Sequence, residues 1–176
     1  MHPVTHGKTK NRFCGPAAIS IITGIDTGTA AALLRHKTGR RQITSTHTWE
    51  VSKVLSALGF HLRPFYLQPA AKNRPTLAGW LKSSVEERTA GRLFLVAAGN
   101  HWQVVSGRRY CCGLTGEIVS IRDERVKRRA RVSEVYEITR VDASIKPKRK
   151  AAELLAPTVR ARVTSVDGRK VKRLAA

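Results

Sequence analysis

The run Ala17-Ala18-Ile19-Ser20-Ile21-Ile22 constrains this chain more than any other stretch. Pro16 suits the first turn of a helix, where a missing N–H does no harm, and Gly24 suits the position just past the end. A short helix that is apolar on nearly every side has to be wrapped by the rest of the chain, so it lies in a core. Cys14 stands at its mouth. First-turn N–H groups and the positive end of the helix dipole face a side chain there, and both lower a thiol pKa. Two roles are open at this point. Cys14 is either a nucleophile or one more small buried side chain, which is the commoner fate of a free cysteine.

Helical spacing continues through the first half. Residues 29–37 read as a second helix stopped near Gly39. Residues 46–58 read as a third, stopped by Gly59, with Trp49, Val51, Val54, Leu55 and Leu58 on one face. Residues 60–67 have strand composition, and Pro64 confines them to an edge or breaks them. Residues 76–87 predict a fourth helix. The second half then changes to short strands between turn signals, at 92–97, 101–106, 108–112, 117–121 and 131–138. Helices first and an antiparallel meander afterwards predict an α+β fold, with N-terminal helices packed on a C-terminal antiparallel sheet.

Charge narrows the partners. The 176 residues include 33 Lys and Arg against 12 Asp and Glu, a net charge of +21. An enzyme for a neutral small molecule has no use for such a balance, which predicts a polyanionic partner, nucleic acid first. One basic block is Arg122, Arg125, Lys127, Arg128, Arg129 and Arg131. A second holds Lys146, Lys148, Arg149 and Lys150, followed by Arg169, Lys170, Lys172 and Arg173. Residues 143–176 carry ten basic and two acidic residues, so they read as a basic C-terminal extension of a domain spanning residues 1–142. Within it, residues 146–150 look like a solvated linker. Residues 159–174, around Asp167-Gly168, form either a hairpin or a disordered tail. Only 6% of the chain is aromatic, low for a protein that stacks single-stranded bases.

Three cysteines, two of them adjacent, make no disulfide framework. The first ten residues carry no apolar h-region, and no apolar run approaches a membrane span. The expectation is a protein of a reducing compartment, cytoplasmic or packaged in a virion.

Thiol chemistry needs a base within reach and usually a third group to orient it. Of six histidines, His2 and His6 lie in a polar N-terminus, His36 and His47 at helix ends, and His61 near an edge strand. His101 follows Gly99-Asn100 and begins a strand, which sets it at the rim of a sheet. No C-x-x-C spacing exists, and Cys111 and Cys112 point to opposite faces of a strand. No metal site and no cofactor are expected.

Cys14-Gly15-Pro16-Ala17-Ala18 on a helix, followed by Gly99-Asn100-His101-Trp102 on a strand, resembles the papain-like cysteine peptidases. The pattern is most similar to compact bacterial and phage members, related to the domains that process bacteriocin leader peptides. It spans roughly residues 8–140. The resemblance implies a papain-like fold, a phage origin, and a peptidase or amidase using a Cys14–His101 dyad. It also implies an Asp or Asn on the strand after the histidine strand, and a Gln or Asn before the cysteine as oxyanion donor.

This chain departs at both places. Cys112 takes the third-member position in either of two registers, directly opposite His101 or diagonal to it with Leu114 opposite. Asp123, in a meander, returns near residue 106, about 17 Å from the histidine along five residues of strand. Lys8 holds the usual donor position, leaving Asn11 and the Cys14 N–H to bind the oxyanion. The alternative is a papain-like scaffold of weak or no activity, serving as a structural, virion-associated or nucleic-acid-binding protein.

Overall fold

Helix α1 (Cys14–Thr23) is the hub that its composition requires, with every residue from 15 to 23 buried. It ends at Gly24, whose φ of 75° suits glycine at a helix stop. The structure is a computed structural model describing residues 1–7, 13–67 and 73–156. Buried hydroxyls do not interrupt the helix, because Thr23 Oγ1 donates to Ile19 O at 2.7 Å. After a bend of 111° the chain enters α2 (Thr27–Thr38). Its N-terminus is capped by Asp26, which accepts from Thr29 N at 2.9 Å, and Gly39 ends it.

Helix α3 (Thr48–Ala57) turns in a different direction from the one the spacing predicts. Trp49 is 57% exposed, whereas Glu50 is buried beside Val51, Val54 and Leu55. A carboxylate is tolerated inside because it is fully engaged. Glu50 accepts from His47 N at 2.7 Å, closing a capping box, and pairs with Arg40 at 2.9 Å. The expected fourth helix is two, α4 (Leu77–Ser83) and α5 (Val85–Thr89). The break falls at Ser84, whose hydroxyl turns back onto Trp80 O at 2.7 Å.

Among the described residues six strands form one sheet, β1 (Phe60–Leu67), β2 (Leu93–Ala98), β3 (His101–Ser106), β4 (Arg109–Cys112), β5 (Val119–Ser120) and β6 (Val132–Arg140). Their order is β1-β6-β2-β3-β4-β5, and every pairing is antiparallel. The α+β arrangement of helices followed by an antiparallel sheet therefore holds. The expected meander holds only from β2 to β5. Strand β6 crosses back to lie between β1 and β2. The reason lies in β2, whose apolar side chains are covered on both faces and whose backbone needs a partner on each side. Pro64 restricts β1 to the edge, and the β1–β6 register slips between Pro64 and Tyr66.

Alternation along the strands builds two cores. Leu95, Trp102, Val104 and Cys111 face α1, α2 and α3. Phe94, Val96, Val105, Tyr110 and Cys112 face α4 and the 119–132 segment. Residues 146–150, expected as a linker, instead open helix α6 (Pro147–Leu155). Pro147 suits its first turn, and Ala151 is buried in the core shared with α1 and α2. The 159–174 stretch lies outside the described residues. Among those described, no single helix is long and apolar enough to cross a membrane.

Candidate active site

Two tight turns and one helix start assemble the site. Gly99 and Asn100 both have φ of 59°, the signature of a two-residue type I′ hairpin, and pair Ala98 with His101. Asn100 is the one non-glycine residue with positive φ among those described. His101 is thereby fixed as the first residue of β3. The next hairpin turns at Gly107 and Arg108, pairing Ser106 with Arg109 and Gln103 with Cys112. This selects the second of the two registers. Cys112 lies diagonal to His101 on the same face, and Gln103 is the residue directly opposite it. On the helical side, Gly15 lets α1 press against Thr46, leaving Cys14 at the helix mouth.

The imidazole of His101 interacts with the sulfurs of both Cys14 and Cys112. Nε2 is buried without a partner of strict hydrogen-bond geometry. Catalytic hydrogen bonds are commonly poorly aligned before substrate arrives. Burial alone would push the histidine down. The two sulfurs, by hydrogen bonding and by charge, outweigh it and raise His101 to about 9. The other five histidines are exposed.

The three thiols differ sharply. Burial pushes Cys112 up, but His101, the Tyr110 hydroxyl and the Thr115 and Leu114 N–H groups reverse this and bring it to about 6. Cys14 is half-buried, which also opposes ionisation. His101, the Trp102 N–H and the N–H of Cys14 itself hold it below its ordinary value nonetheless. Cys111 points to the opposite face, where burial dominates, and is pushed up to about 11.

A cavity of about 210 Å³ opens behind the histidine, lined by His101, Gln103, Tyr110, Cys112, Arg125 and Lys127 among others. Gln103 donates to Ala98 O at 3.1 Å, while its Oε1 is buried without a partner. Sequence reasoning missed Gln103, Tyr110, Thr115 and the Trp102 N–H. Gln103 alone left a signal, being a polar residue two positions from His101 on a strand otherwise apolar to Val105.

The remaining candidates are dispersed. Asn11 and Lys8 lie outside the described residues, as do Arg169, Lys170, Lys172 and Arg173. Asp123 bonds Arg125 at 2.9 Å, and the chain leaves the sheet beside Arg108, at the far end of β3 from His101. Arg125 also holds Glu117 at 2.6 Å. Arg131 donates to Arg74 O, and Arg149 and Lys150 pair with Glu153. Lys127 lines the small cavity, Arg128 borders a larger groove, and Arg129 is exposed. Lys146 occupies the N-cap position of α6 without a side-chain cap, and Lys148 lies in its first turn.

The chemistry open to this arrangement is thiolate attack with an imidazolium as proton donor. Among the described residues no cluster of His, Cys, Asp or Glu of metal-binding form occurs. Comparison with protein-family models, with curated proteins and with solved structures finds no match to this chain.

Proposed function

We propose that the protein is a cysteine hydrolase of papain-like pattern, acting on a peptide or amide bond, with Cys14 as nucleophile and His101 as its acid–base partner. The observation that carries this reading is the single half-buried histidine placed between two thiols whose pKa values are both lowered. Substrate access separates the two sulfurs. Cys112 is 2% exposed, whereas Cys14 is half-buried at a helix mouth. The nucleophile is therefore Cys14.

In the reaction, the Cys14 thiolate attacks the carbonyl carbon, and the electron pair moves to oxygen. The Cys14 N–H, and Asn11 if it reaches the site, stabilise that oxyanion. His101 gives its proton to the leaving amine as the C–N bond breaks, leaving a thioester. The now neutral imidazole takes a proton from water, whose oxygen attacks the thioester and releases the acid and the Cys14 thiolate. Cys112 acts as the third member. Its thiolate accepts from the imidazolium and holds the ring, the part an Asp or Asn plays in the family this chain resembles.

The test uses p-nitrophenyl acetate as a general acyl probe. Wild-type protein should release a burst of nitrophenolate stoichiometric with protein and carry an acetyl group on Cys14 in a tryptic digest. Cys14→Ala should retain the fold and lose the burst. A burst that survives in Cys14→Ala refutes the assignment.

A further inference from the structure

A groove of about 710 Å³ runs between α4–α5 and the edge of the sheet at β5, one strand length from His101. Its cations come from three separate segments. Lys82 lies on α4, Arg108 in the β3–β4 turn, and Arg122 and Arg128 in the chain between β5 and β6. All four are exposed, and among the described residues none forms an ion pair. This sets them apart from Arg125, which pairs with Asp123 and Glu117, and from Arg149 and Lys150, which share Glu153.

The wall of the groove holds a fifth cation. Arg88 is 2% exposed, and it rivets α5 to the sheet by donating to Leu81 O, Gly107 O and Ser84 Oγ. Those acceptors satisfy its N–H groups without neutralising it. No carboxylate lies within ion-pair distance of it among the described residues, and burial pulls its pKa down. Glu87 favours the charge of Arg88 from beyond ion-pair distance but does not outweigh its burial, and an anion in the groove would offset the remaining cost. No acidic side chain lines the groove to compete with one.

We infer that this groove binds nucleic acid through its phosphates. A phosphate chain presents closely spaced anions that meet cations on several walls at once, and arginine forks grip phosphate oxygens two at a time. No aromatic side chain lines the groove, so bases have nothing to stack on, and the mode is backbone contact to a duplex with little sequence preference. The inference stands apart from the thiol chemistry, which lies about 17 Å away along β3.

The experiment measures binding of the full-length protein to a fluorescein-labelled mixed-sequence DNA duplex, by anisotropy, between about 50 and 200 mM salt. Affinity should fall steeply with salt. The variant Lys82→Gln/Arg108→Gln/Arg122→Gln/Arg128→Gln should lower the slope of log K against log salt by about three to four, at about 0.9 per lost phosphate contact. Arg149→Gln/Lys150→Gln, which removes two cations that share the Glu153 carboxylate, should move it by less than about one. The four positions are exposed, and an unchanged melting temperature establishes that the variant folds. Residues 157–176 contribute equally to both proteins and cancel in the difference. A wild-type slope in the fourfold variant overturns the inference. So does an equal loss per charge in the α6 variant, or polyglutamate binding through the same residues with no duplex binding.

Discussion

Cys111 and Cys112 are neighbours on one strand, and both are buried, yet one thiol is pushed up to about 11 and the other brought down to about 6. Alternation on the strand separates them. Cys111 faces the helical core, where burial outweighs the hydrogen bonds from Thr115 and the Val4 N–H. Cys112 faces His101, Tyr110 and the folded-back 113–116 turn, whose donors all favour the thiolate. Burial is nearly the same for both, so partners decide which cysteine is chemically alive. A one-residue slip in the β3–β4 register would exchange the two faces.

The widest break in that comparison is to remove the Cys112 thiolate while leaving the fold. Cys112→Ala should lower kcat on a hydrolysable substrate on the order of 10²-fold with little change in KM, since the imidazole loses its orienting partner. Cys112→Asp should restore most of the loss, and asparagine at that position part of it. A Cys112→Ala variant as fast as wild type shows that Cys112 takes no part in positioning.

A smaller effect follows from the charges of the pair. The raised His101 contributes stability that is complete below its unfolded value of 6.5 and is lost as pH rises through about 9. The depressed Cys112 contributes stability that is complete above its ordinary 9.0 and is lost as pH falls through about 6. The ion pair therefore stabilises the fold between about pH 6 and 9. Urea unfolding at pH 7.5 should cost Cys112→Ala about 2 kcal/mol, a gap that narrows toward both ends of the window. A gap that does not vary with pH indicates packing alone.

A third change sharpens the Cys14 side by itself. A Cβ at position 15 would stand 2.8 Å from Thr46 Cβ and closer still to Oγ1, so Gly15→Ala should destabilise the fold by about 1–3 kcal/mol. It should also displace the helix mouth, slowing Cys14 modification while the Cys112 thiolate absorbance is unchanged. Equal changes at both sulfurs would show that the two halves of the site move as one.

Much of this was legible in the residues. Pro16 and Gly24 bracket α1 as expected, Pro64 keeps β1 at the edge, and the Gly99-Asn100 turn sets His101 at a strand start. What was not legible depends on contacts between distant segments. Trp49 faces solvent because Glu50 finds both a cap and Arg40, a bargain that helical periodicity does not reveal. Strand β6 crosses the sheet because β2 needs two partners, whereas sequence order suggests only the next neighbour. The basic residues looked alike in the sequence. Only their carboxylate partners divide Arg125 and Arg149 from the unpaired set at the groove.

The measurement that bears most directly on the central claim is the pH dependence of iodoacetamide alkylation at Cys14, in wild type and His101→Ala, with Cys111 as reference in the same digest. The account predicts that Cys14 reacts well below its ordinary thiol value in wild type. That reactivity should fall by about tenfold or more at pH 7 in His101→Ala, with Cys111 unreactive in both. A Cys14 whose profile is the same with and without His101, or which is as inert as Cys111, would contradict it.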